Sequence, residues 1–169
     1  GIVVLHYALE GADQAMNKFY LDAVRGYFEV DWSVNPQWVL REAILSDHSV
    51  NSGVEPYLTE DEWYFHMRFR DGMKGITPIL STKPPEKELG QDGPRSGNPA
   101  LREALTNGVP QHLAWVAETP GKGRGFALTG GNFHHNWPQN DFRKQVLNGI
   151  AWTAGVEIPS KGIKSTVSG

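Results

Sequence analysis

The stretch GRGFALTGGNFHHNWPQNDFRKQVLNGIAWTAG, Gly123 to Gly155, decides the fold. It reads as a strand, a glycine-tight turn carrying two histidines, and an amphipathic helix. In parallel α/β proteins, functional groups collect just past the C-terminal ends of strands, over a crevice that the helices leave open. Gly130 and Gly131 can adopt backbone angles closed to other residues. Asn132, Phe133, His134 and His135 would then hang over the strand end. The helix puts Phe142, Val146, Leu147, Ile150, Ala151 and Ala154 on one face, with Asn140 to cap it and Gly155 to stop it.

Working outward, Ile2–Leu5 is short, apolar and β-branched, as a buried strand should be. Ala12, Ala15, Met16, Phe19, Tyr20, Ala23 and Val24 then recur at helical spacing, with Gly26 as a stop. Tyr27–Val34 reads as a short strand and Trp38–Leu45 as a firmer one. In Glu62–Phe69, Trp63, Phe65, Met67 and Phe69 alternate with Glu62, Tyr64, His66 and Arg68, the mark of a half-buried strand. Gly75–Leu80 is a further strand, followed by a Pro-, Gly- and Lys-rich surface excursion from Lys83 to Gly97 that could cover a site. Asn98-Pro99 caps and opens a helix through Leu105. Asn107-Gly108 turns, and His112–Ala117 and Gly125–Thr129 form strands joined as a hairpin at Thr119-Pro120-Gly121. The stretch after Pro159 is small, polar and reads as a loose tail. The expected class is an α/β sheet with antiparallel strands toward the C-terminus.

Composition narrows the function classes. A chain of 169 residues fits one domain, here residues 1–158 followed by the tail 159–169. The net charge of −3 offers no electrostatic case for nucleic acid or an anionic membrane. No apolar run is long enough to span a bilayer. Without cysteine there is no thiol catalysis, disulfide or cysteine-bound zinc. The first residues lie inside an apolar run with no methionine before it. This reads as the C-terminal part of a larger domain, with an open apolar edge beside residues 2–5 at which copies could self-associate. The compartment is not legible.

His6 directly follows the first strand and precedes a helix, the geometry in which many α/β enzymes hold a nucleophile. An imidazole there can act as acid or base near neutral pH, or as a metal ligand. Glu62 shares a strand face with Tyr64 and His66, whereas Glu60 and Asp61 read as solvated. His134 and His135 are adjacent and point apart on any regular backbone, so at most one shares a crevice with His6. No cofactor is expected. A His/His/Glu divalent-metal site from His6, Glu62 and a late histidine is the alternative, without a local zinc-type spacing. His48 and His112 read as structural. Of the six tryptophans, Trp32, Trp38 and Trp63 lie near these polar residues, where they serve either as core or as a surface for stacking on sugars. No GxGxxG, phosphate loop or GxSxG is present, so nucleotide and serine-hydrolase chemistry lack support.

Four segments together resemble the trehalose-utilisation, or ThuA-like, family: Val3–Ala8 (VVLHYA), Ser46–Val54 (SDHSVNSGV), Glu60–Phe69 (EDEWYFHMRF) and Gly123–Trp137 with the helix that follows. The resemblance implies a flavodoxin-like three-layer sandwich, similar to class I glutamine amidotransferases, with its N-terminal part missing here. Where that superfamily carries a cysteine at the elbow, this chain has His6, so amidotransferase chemistry is not implied. What is implied is carbohydrate metabolism, on a sugar or keto-sugar. On that reading His6, Glu62, His134 and His135 are the candidate catalytic residues. Tyr7, Trp32, Tyr64, His66, Asn132 and Trp137 line the substrate site. A non-catalytic carbohydrate-binding module is the alternative. One departure stands out: relatives commonly carry Gly-His where this chain has Gly131-Asn132.

Overall fold

The computed structural model describes residues 1–119, 121 and 123–167. Its centre is a five-stranded mixed sheet built from β1 (Ile2–Leu5), β4 (Ile44–Leu45), β7 (Ile76–Thr82), β8 (Gln111–Thr119) and β9 (Gly123–Leu128), in the order β1-β9-β8-β7-β4. Only β1 and β9 run parallel, with Leu5 level with Leu128; the other pairs are antiparallel. Two short ribbons flank it: β2 (Gly26–Tyr27) with β6 (Arg68–Phe69), and β3 (Gln37–Leu40) with β5 (Thr59–Glu62). The helices are α1 (Gln14–Ala23), α2 (Pro99–Thr106) and α3 (Asn140–Thr153). The mixed α/β class expected from the sequence is the one found.

Strand alternation sorts the core onto the two faces of the sheet. Val3, Leu5, Ala114, Val116, Phe126 and Leu128 belong to one apolar cluster, which α3 covers with Phe142, Val146 and Trp152. Val4, Trp115 and Ala127 belong to the other, with Leu9, Val24, Phe28, Tyr64 and Met67. Asp13 caps α1 by accepting from the Met16 amide, and Asn98 caps α2 by accepting from the Leu101 amide.

Several expectations are corrected. Glu62–Phe69 is not one strand: β5 ends at Glu62, β6 starts at Arg68, and between them His66 takes a φ of 56°. Trp63, Tyr64, Phe65 and Met67 are all buried, so alternation in the sequence did not report a wet and a dry face. Trp38–Leu45 likewise splits into β3 and β4, which belong to different sheets. Of Tyr27–Val34, only Tyr27 falls in a strand. On α3 the inward face is Phe142, Gln145, Val146, Gly149, Trp152 and Thr153, with Ile150 exposed. The face is rotated because two amides are taken inward. Gln145 accepts from the Tyr57 hydroxyl at 2.8 Å and donates to Asn51, while Asn148 donates to the Val50 and Ser52 carbonyls.

The stretch after Pro159 makes specific contacts: Ile163 donates its amide to Asn148, and Arg143 donates to Ser165. The expected hairpin turn includes Pro120, which lies outside the described residues. The excursion from Lys83 to Gly97 is tied down by Arg102 to Glu86, Gly90 and Asp92, and by Arg95 to Glu10. β1 does lie at a sheet edge, but Val4 is buried and its neighbours half-buried. In the segments that follow β1, the exposed large apolar side chains are Tyr7 and, on α1, Met16 and Phe19. No helix among the described residues is long and apolar enough to cross a membrane.

Candidate active site

Where β1 ends, the chain turns at once into a short 3-10 helix, His6–Leu9, and His6 takes a left-handed φ of 50°. For a residue with a Cβ that conformation is strained, and it persists only where the surroundings hold it. Here the hold comes from the neighbouring parallel strand. His6 Nδ1 lies 2.9 Å from the Thr129 carbonyl oxygen, one step past the end of β9. A carbonyl only accepts, so Nδ1 carries a proton and the second nitrogen, Nε2, is the one left to work.

Nε2 faces two groups, Glu62 Oε2 at 3.1 Å and the Tyr64 hydroxyl at 3.3 Å. The His6 and Glu62 side chains are 12% and 20% exposed, sheltered yet reachable. The phenol of Tyr64 is pushed well above its usual range, first by burial and then by the Glu62 carboxylate. It therefore stays protonated, and donates to Nε2 when that nitrogen bears a lone pair. When Nε2 bears a proton, Glu62 is the acceptor. The second Glu62 oxygen accepts from Asn35 Nδ2 at 2.9 Å, which fixes the carboxylate's orientation. Four segments thus meet at one point: the ends of β1, β9 and β5, and the loop before β3.

Asp61, next to Glu62, is fully buried rather than solvated. Its carboxylate accepts from the backbone amides of Gly131, Asn132 and Phe133 at 2.8, 3.0 and 3.2 Å. It also accepts from Asn136 Nδ2 at 2.9 Å and from the Glu62 amide at 2.8 Å. The glycine turn after β9 is wrapped around this one carboxyl. Gly131 has a φ of 109°, as expected of a glycine required for conformation. Gly130 serves a different purpose: a Cβ there would come within 2.4 Å of the Trp63 ring.

The remaining candidate residues divide. His134 and His135 lie in the short 3-10 helix His134–Asn136, both exposed, with His135 tilted against Phe133 at 5.3 Å. Asn132 is exposed, and Tyr7 is 70% exposed. Trp137 instead packs edge-on against Phe142 at 5.2 Å, in the core beneath α3. Trp32 is stacked by His66 at 4.2 Å and carries the Arg68 guanidinium 3.6 Å from its ring centre. Groups that close cannot share one face, so Trp32 has no bare face for a sugar ring. His66 donates through Nδ1 to the Trp32 carbonyl, 3.0 Å away, and burial lowers its pKa. Among the described residues, no three His, Cys, Asp or Glu side chains group closely enough to hold a metal ion. The His/His/Glu arrangement is therefore not formed by them.

Sequence reasoning missed Asp61, Asn35 and Asn136. The alternation that places Asp61 inward is that of β5 itself, where Thr59 and Asp61 are buried and Glu60 is exposed. Asn35 and Asn136 gave no signal, because each acts across the fold. Neither a curated protein nor a solved structure matches the chain. The family model for trehalose utilisation, ThuA, matches residues 1–153, and the chain belongs to that family.

Proposed function

We propose that this domain acts on a sugar or keto-sugar by acid–base chemistry at His6, on a flavodoxin-like scaffold. The observation that carries the reading is the His6–Glu62 pair, with His6 Nε2 at 3.1 Å from the carboxylate. Family membership supplies the carbohydrate expectation. In this reading a substrate hydroxyl beside Nε2 passes its proton to the imidazole. The imidazolium then donates to Glu62, and the same proton returns to substrate in the second half of the reaction. Tyr64 keeps Nε2 oriented between these events. Tyr7 supplies an exposed ring for stacking. Asn132, His134 and His135 supply exposed polar groups, one imidazole polarising a substrate carbonyl or hydroxyl.

The test is calorimetric titration of the protein with a panel of disaccharides and their keto derivatives, with product analysis on the same mixtures. Binding and turnover in the wild type, and loss of turnover in Glu62→Gln, support the reading. Binding without turnover assigns a carbohydrate-binding module instead. No binding to any member rejects the carbohydrate reading.

A further inference from the structure

We propose that Asp61 is the positioning residue that holds Glu62 against His6, an inference that rests on reading the His6–Glu62 pair as the working one. Asp61 touches neither His6 nor an open surface. It acts through two segments that bracket the pair. On one side its Oδ1 accepts from the Glu62 amide at 2.8 Å, which pins the backbone of the last residue of β5. On the other it gathers three successive amides, Gly131 to Phe133, from the turn that follows β9. The same β9 end supplies the Thr129 carbonyl that fixes His6 Nδ1. Asn136 closes the arrangement by donating both to Asp61 and to the Glu60 carbonyl, at 2.9 and 2.7 Å.

The chemistry of the site requires a carboxylate. Every group that points at Asp61 is a donor, and an ionised carboxyl is the one side chain of this size that only accepts. A carboxamide would turn an N–H₂ group toward donors already in place. The turn would move off, and with it the spacing between the ends of β9 and β5. A displacement of about 1 Å suffices to uncouple a positioned proton-transfer pair. Asn35, which donates to Glu62 Oε1, orients the carboxylate but is not bonded to the turn, so it cannot replace this link.

The test is imidazole nitrogen–proton correlation NMR on the full chain, comparing wild type with Asp61→Asn and Glu62→Gln, and recording melting beside the spectra. In Asp61→Asn the His6 Nε2 resonance is expected to shift in the same direction as in Glu62→Gln. The Nδ1 resonance, held by Thr129, should stay in place. A folded Asp61→Asn with a lower melting temperature and an unmoved Nε2 resonance overturns the proposal, since a merely structural carboxylate would behave that way. Should Asp61→Asn fail to fold, Asn136→Ser loosens the same carboxyl from one side. A smaller Nε2 shift of the same sign supports the role and no shift rejects it. The sugar titrations separate this result from the functional reading. An Nε2 shift in a protein that binds no sugar keeps the positioning role and discards the carbohydrate reading. Sugar binding with an unmoved resonance does the reverse.

Discussion

His6 Nε2 lies 3.1 Å from Glu62 Oε2, although one residue follows the first strand and the other closes β5. Nothing local brings them together. The parallel pairing of β1 with β9, and the Asp61 carboxylate between the β9 turn and β5, set the distance. His6→Ala should therefore abolish sugar turnover while the domain stays folded. Losing the bond to Thr129 costs about 0.5–1.5 kcal/mol. His6→Gly should melt at or above His6→Ala, because glycine accepts a φ of 50° without strain. An unfolded His6→Ala would make His6 a structural residue, and full turnover would remove it from the mechanism.

Asp61→Ala should be destabilising, by about 2–4 kcal/mol, since it removes a buried carboxylate and the acceptor of four part-buried backbone amides. Glu60→Ala, at an exposed position one residue away, should change stability by no more than about 0.5 kcal/mol. Urea melts of the two proteins decide the matter. Equal effects would mean that the buried carboxylate is not an anchor.

The two adjacent glycines should fail for different reasons. Gly130→Ala forces a methyl into the Trp63 ring and should cost roughly 1–3 kcal/mol. Pairing it with Trp63→Leu should recover part of the loss relative to the sum of the single changes. Gly131→Ala is limited by its φ of 109°, so no change at Trp63 should rescue it. A double-mutant cycle on thermal stability separates these cases.

His48, His66 and His112 all have pKa values lowered by burial. The unfolded chain then binds protons more readily than the folded one. Stability is complete above the ordinary histidine value of about 6.5 and declines as pH falls below it. Melting temperature should accordingly drop between about pH 6.5 and 5. His112→Gln should flatten part of that slope. A melting temperature that rises on acidification through this window would contradict the assignment.

The strand–turn–helix unit at residues 123–155 was legible because each of its parts is a local signal: a run of apolar residues, paired glycines, and a helical repeat. So were β1, α1 and the Asn98 cap. The segment 62–69 misled because alternation reports a half-buried strand only when one face meets water, and here both sides are covered. Trp32 and Trp137 looked available to substrate because a sequence shows an aromatic ring but not what already stacks on it. Asp61 reads as solvated by its charge, whereas three of its partners are backbone amides about seventy residues on, invisible as side-chain types.

The two inward amides of α3 bear on how the chain reaches its final form. Apolar contacts are non-directional, so a helix seated only by hydrocarbon tolerates small rotations in its seat. Gln145 and Asn148 remove that freedom: a shift of one position would strand buried amides opposite carbon. The seating of α3 is therefore specified in register by polar contacts as well as by apolar ones.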